Sequence, residues 1–106
     1  MPRFVIHFET KPHAGQDEAF NVWYDTIHVP DVLRISGYKS CERFRVLGND
    51  GGLCYIASYE VECEDPQEII DELVRASKSM VISPALDRSS TRVRVLQPLA
   101  TPHEQA

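Results

Sequence analysis

The chain lacks any long hydrophobic run. None approaches the roughly 20 apolar residues of a bilayer-spanning helix, so no membrane role is expected. Cysteine is scarce, and its odd count of three fits a reducing compartment better than a disulfide scaffold. Cys41 and Cys54 fall on neighbouring predicted strands. A hairpin centred near Asp50 sets Cys41 opposite about Tyr59 and Cys54 opposite about Val46, so these thiols are not expected to bond. No cysteine or histidine pair has zinc-site spacing, and no metal is expected. Basic charge is also short. Eleven Lys and Arg stand against 16 Asp and Glu, a formal net charge of -5, which argues against a nucleic-acid partner.

Other absences narrow the chemistry. Glycines 48, 51 and 52 belong to a turn cluster; no helix and no Lys-Ser/Thr pair follow, which excludes a phosphate loop. There is no Gly-x-Ser-x-Gly elbow. A two-carboxylate glycosidase needs a larger cleft than this domain offers. No pattern calls for a nicotinamide, flavin or other cofactor. Met1-Pro2-Arg3 leads directly into a strand pattern without a signal peptide's apolar core, which predicts a cytoplasmic protein.

What is present fits one folded domain: 106 residues, 42% hydrophobic and 25% charged. Phe4, Ile6 and Phe8 alternate with polar neighbours and predict a strand over 3–9, followed by a loop over 10–15. Asp17 and Glu18 open a helix whose apolar stripe is Phe20, Trp23, Tyr24 and Ile27. Pro30 predicts a kink or break, then a short turn through Val32 and Leu33 that Ser36-Gly37 ends. Residues 38–47 and 53–61 read as a hairpin across the turn at 48–52. Asp65, Pro66 and Glu68 form a capping-box start for a second helix with Ile69, Ile70, Leu73 and Val74 buried. A last strand spans 91–96. The domain is assigned to 1–97 and a mobile tail to 98–106.

The order β-α-β-β-α-β is the split βαβ, or ferredoxin-like, α+β arrangement with an antiparallel sheet. Both helices cover one sheet face. The other needs a cover that a single chain does not supply, so a homodimer with two sheets face to face completes it.

The stretch Trp23-Tyr24-Asp25-Thr26-Ile27-His28-Val29-Pro30-Asp31-Val32-Leu33 resembles the EthD-like branch of the dimeric α+β barrel proteins. Gly37-Tyr38, Arg43-Phe44-Arg45, Tyr55 to Glu60 and Ser83 to Asp87 extend the resemblance over residues 3–96. It implies a homodimer with a pocket between sheet and helices in each subunit. Related barrels include muconolactone-type isomerases, polyketide cyclases, small monooxygenases and heme-degrading enzymes, so the resemblance speaks to fold more than to chemistry.

His28 is the first catalytic candidate, because an imidazole exchanges protons near neutral pH. In α-helical geometry it lies one turn after Tyr24 on the flank of the stripe, with Asn21 two turns earlier. Asp25 is placed to orient the ring and favour its protonated form, and the helix C-terminus acts in the same sense. The alternative is structural: His28 caps the last carbonyls, while Asp25 and Asp31 are solvated. Tyr24 is a candidate helper through its hydroxyl. Trp23, Phe8, Tyr55 and Tyr59 are candidate substrate-binding walls, with strand packing as the plain reading of the tyrosines. His7 is expected to face the partner sheet. Arg43, Arg45, Arg92 and Arg94 form two same-face pairs; bidentate bonds to a substrate carboxylate are one use, and guarding the sheet edges or bridging to the partner is the preferred reading.

These residues lead to a cofactor-independent enzyme of lyase, isomerase or cyclase type, acting on a small apolar or aromatic metabolite in small-molecule catabolism. A non-catalytic protein sheltering such a metabolite is the alternative. A monooxygenase or heme-binding barrel ranks below both, because no histidine is placed as an axial ligand.

Overall fold

A computed structural model describes residues 1–48 and 53–105. Four strands, β1 (Arg3–Pro12), β2 (Tyr38–Val46), β3 (Cys54–Glu62) and β4 (Leu86–Leu96), form one antiparallel sheet in the order β2-β3-β1-β4. The helical elements are α1 (Asp17–Trp23), a π-turn (Tyr24–His28), α2 (Val29–Val32) and α3 (Pro66–Ser77). The expected β-α-β-β-α-β order and α+β class are observed. Most of the predicted turn, Asn49 to Gly52, lies outside the described residues.

Directly paired residues share a sheet face, so the register sorts the side chains. Phe4 pairs with Val61, Ile6 with Tyr59, and Phe8 with Ala57. Together with Phe20, Trp23, Tyr24, Val32, Ile69 and Leu73 these residues build the core between sheet and helices. Cys41 pairs with Tyr59 and Val46 with Cys54, so the two thiols stand on different rungs, as the hairpin reading required. Val5, His7, Glu9, Ile56 and Ser58 point to the opposite face, joined there by Phe44, Arg92, Arg94 and Leu96. No element of this chain that the structure describes packs on that face.

Three boundaries differ from the sequence reading. β1 continues to Pro12 and β4 begins at Leu86, because a register shift after Glu9 lets Lys11 pair with Asp87 and Pro12 with Leu86. Lys11 N donates to Ser90 Oγ at 2.8 Å across this extension. Such a bulge adds a residue that alternation alone does not reveal. Val74, expected in the core, is exposed on α3. The Asp65 cap is present, with its carboxylate accepting from Gln67 N at 2.9 Å.

The third difference concerns Pro30, which does not break the helix. Trp23, Tyr24, His28 and Val29 all keep right-handed helical angles. The turn before the proline widens instead. Val29 N–H reaches Tyr24 O, five residues back, and Leu33 N–H resumes the four-residue pattern on Val29 O at 3.0 Å. Pro30 has no N–H to give Thr26 O, so a π-turn lets the backbone bypass the missing donor. No described helix is long and apolar enough to cross a membrane.

Candidate functional site

The π-turn decides which side chains meet. In an α-helix, residues three and four apart are neighbours. Here the inserted residue brings His28 onto Trp23, five positions earlier, with ring centroids 4.7 Å apart and planes at 24°. The imidazole also meets the Tyr24 ring edge-on at 5.0 Å. Trp23 is fixed by its indole N–H, which donates to Val81 O at 2.8 Å. His28 is therefore a half-buried ring clamped between two aromatic walls, rather than a cap on helix-end carbonyls.

Tyr24 is the hub. It is buried and packs against Phe20, Trp23, His28 and, through a cation–π contact, the guanidinium of Arg43 4.3 Å from the ring centroid. Burial pushes the phenol's ionisation far above its ordinary value, against the pull of Arg43, so Tyr24 stays protonated and serves as a donor.

Asp25 does not orient His28. Its Oδ1 accepts from Arg43 Nη1 at 2.9 Å, while Arg43 Nη2 donates to Asn21 Oδ1 at 2.8 Å. Asn21 and Asp25 lie four residues apart, so both face β2 and form a two-pronged seat for the guanidinium. With Asp25 so engaged, the expected bias toward imidazolium is absent. Burial lowers the His28 pKa below 6.5; Asp31 opposes this and Arg43 adds to it. His28 is neutral at pH 7, because desolvation disfavours its charged form.

Arg43, read from sequence as an edge guard in preference to a substrate-binding group, is a functional candidate in the structure. It stands on the edge strand β2, yet its side chain is only 14% exposed, because it points under the helix rather than outward. The available signal was the acceptor pair Asn21 and Asp25 above a strand arginine. Arg45 lies on the same face, over Tyr55. Arg92 and Arg94 project from the opposite, open face, consistent with the expected outward role.

The remaining predicted residues divide. Tyr59 is buried and pairs edge-on with Phe8 at 5.8 Å; burial and then the neighbouring Tyr24 phenol disfavour its ionisation. Its hydroxyl approaches the Cys41 thiol without finding a partner of good geometry. Tyr55 is committed elsewhere: its hydroxyl donates to Asp17 Oδ2 at 3.1 Å, tying β3 to the start of α1. Phe8 is half-buried beside Tyr59.

Among the described residues, four buried side-chain polar atoms have no hydrogen-bond partner: Thr10 Oγ1, His28 Nδ1, Arg43 Nε and Tyr59 OH. Each belongs to a residue that borders Tyr24. Thr10 comes near the Tyr24 phenol but not in hydrogen-bonding geometry. One such atom typically costs about 1–3 kcal/mol, so four around one ring are a costly concentration. A groove of about 650 Å³ lies elsewhere, between Ser36–Lys39, Glu62–Asp65 and α3. It is ringed by carboxylates and holds none of these residues. Among the described residues, no three His, Cys, Asp or Glu side chains are arranged to hold a metal ion.

No family model and no curated protein matches the chain. Solved structures do. A protein of the ethyl tert-butyl ether D (EthD) family from Bacillus halodurans superposes with a TM-score of 0.57 at 13% identity, covering 91% of this chain and 99% of the other. A dimeric ferredoxin-like protein from an uncultured marine organism superposes with a TM-score of 0.54 at 11% identity, over 98% of this chain and 100% of that one. The chain has the ferredoxin-like α+β fold. Both likenesses run over nearly the whole chain.

Proposed function

We propose that the chain is a cofactor-independent enzyme of the EthD-like kind, with neutral His28 as general base and then general acid on a small apolar or aromatic molecule. The observation that carries this reading is the set of four unpartnered polar atoms around Tyr24, one of them the Nδ1 of an uncharged imidazole. With the proton on Nε2, Nδ1 holds the lone pair. It removes a proton from a carbon next to a carbonyl; the C–H electron pair becomes a C=C bond as the carbonyl π pair moves onto oxygen, and the resulting imidazolium returns the proton at the same or another carbon. Isomerisation, elimination and ring closure all share that first step. Tyr24 and Tyr59 supply neutral O–H donors; Trp23, Phe8 and the ring of Tyr55 supply apolar wall. Asp25 acts through Arg43 and not through His28.

The likeness to an EthD family protein and to a dimeric protein of the same fold supports a homodimer through the open sheet face. The absence of a basic excess argues against nucleic-acid partners. Exchange of the methyl protons of acetophenone with D2O, followed by NMR, tests the chemistry. Wild-type protein accelerates it and His28→Ala loses about a hundredfold or more while remaining folded. Equal rates in the two proteins contradict the assignment. The depth of the His28 ring favours one second reading, a protein that shelters such a molecule without transforming it. In that case His28→Ala changes affinity alone.

A further inference from the structure

Resting on the reading that the region around Tyr24 receives a small molecule, we infer that Arg43 selects it, favouring ligands with one anionic or charge-developing oxygen on an aromatic or conjugated frame. Arg43 has both terminal nitrogens engaged on the helix, by Asp25 and Asn21. Its Nε–H is buried and has no partner. A guanidinium offers five donors in a fixed plane, so anchoring both terminal nitrogens also fixes the direction of the Nε–H. The plane lies over Tyr24, with Phe20 and Tyr55 also in cation–π range.

Around this donor, the unpartnered groups favour an oxygen ligand. Tyr59 OH and Thr10 Oγ1 are hydroxyls able to donate, on residues only 1% and 5% exposed. Charge makes the preference one-sided. The neutralising carboxylate of Asp25 is 62% exposed, where solvent weakens the pair, while Arg43 is largely withdrawn from solvent. The positive field is thus stronger toward the core than toward the surface. No acidic side chain is paired with Arg43 on the core side among the described residues. A cationic ligand meets repulsion there, and a neutral hydrocarbon leaves the donors unpaired. A phenolate or an enolate-forming ketone fits both the aromatic walls and the donors. Charge-assisted N–H···O⁻ bonds are about twice as strong as neutral ones, which makes Arg43 the discriminating member of the set.

Two probes of nearly equal shape isolate the effect: 4-nitrophenolate, and nitrobenzene, which lacks the oxyanion. In mildly alkaline buffer the wild-type protein is expected to bind the phenolate at least about tenfold more tightly. Arg43→Met is expected to lose that preference and still bind nitrobenzene. Asp25→Asn, a change at an exposed position, is expected to strengthen it by releasing the guanidinium from its carboxylate. The inference is overturned by equal wild-type affinities, by an Arg43→Met protein that keeps the preference, or by an Asp25→Asn protein in which it is unchanged. The last comparison decides the matter alone if Arg43→Met does not fold. Binding of neither probe overturns the ligand site itself. His28→Ala is expected to keep the phenolate preference, so failure of the acid/base reading and failure of the selection by Arg43 give different results.

Discussion

The imidazole of His28 lies on the indole of Trp23, five residues earlier, at 4.7 Å between centroids and 24° between planes. The pairing depends on the π-turn that Pro30 imposes. Trp23 is the only tryptophan in the chain, so indole emission comes from this site alone. Protonating the ring beneath an indole creates a cation–π pair and alters the fluorescence. Emission is expected to change along a titration curve with its midpoint below 6.5, the ordinary histidine value. The curve should vanish in His28→Gln. A midpoint at or above 6.5 would mean that burial does not govern the group.

The same shift has a consequence for stability. The folded pKa of His28 is lowered, so between that value and 6.5 the unfolded chain binds more protons than the folded one. Stability contributed by the neutral ring is complete above 6.5 and is lost as pH falls through that window. Melting temperature should therefore decline on mild acidification in the wild type, and less steeply in His28→Gln. Parallel curves for the two proteins would remove His28 as the cause.

Much of the fold could be read in the sequence because alternation and capping are local signals. The opposite faces of Ile6 and His7, and the Cys41–Tyr59 and Cys54–Val46 rungs, follow from a period of two and a turn near Asp50. The site was less accessible. Helical periodicity places His28 over Tyr24 but has no place for a five-residue step, so the Trp23 contact was missed and Asp25 was assigned to the wrong partner. Arg43 was given an outward role for a related reason. An arginine on an edge strand looks outward until the register sets it opposite Ala57, beneath Asn21 and Asp25.

Gly37 marks the junction between the helical segment and β2. Its φ is +98°, and a Cβ there would meet Ile69 Cδ1 at 2.5 Å and Glu62 O at 3.1 Å. Glu62 N also donates to Gly37 O at 2.9 Å, so the backbone has little freedom to retreat. Gly37→Ala should cost about 1–3 kcal/mol in denaturant unfolding, from left-handed strain plus displacement of Ile69. A change within a few tenths of a kcal/mol would show that this junction yields easily.

Homodimerisation through the open face makes its own prediction. Ile56 sits near the centre of that face, paired with Glu9 and Phe44. Ile56→Asp places an unpaired charge where two sheets would meet, which typically destabilises an interface by several kcal/mol. Sedimentation should show a wild-type dimer and a folded or partly folded monomer for the variant. A wild-type monomer would rule out the homodimer, and an Ile56→Asp dimer as tight as the wild type would move the interface elsewhere.

The most direct measurement is the pH dependence of acetophenone proton exchange in D2O with the wild-type protein and with His28→Ala. A neutral His28 acting as base predicts a rate that rises with pH through an inflection below 6.5, reaches a plateau near neutrality, and is absent in the variant. A wild-type rate equal to that of buffer, or a profile that survives unchanged in His28→Ala, would contradict it.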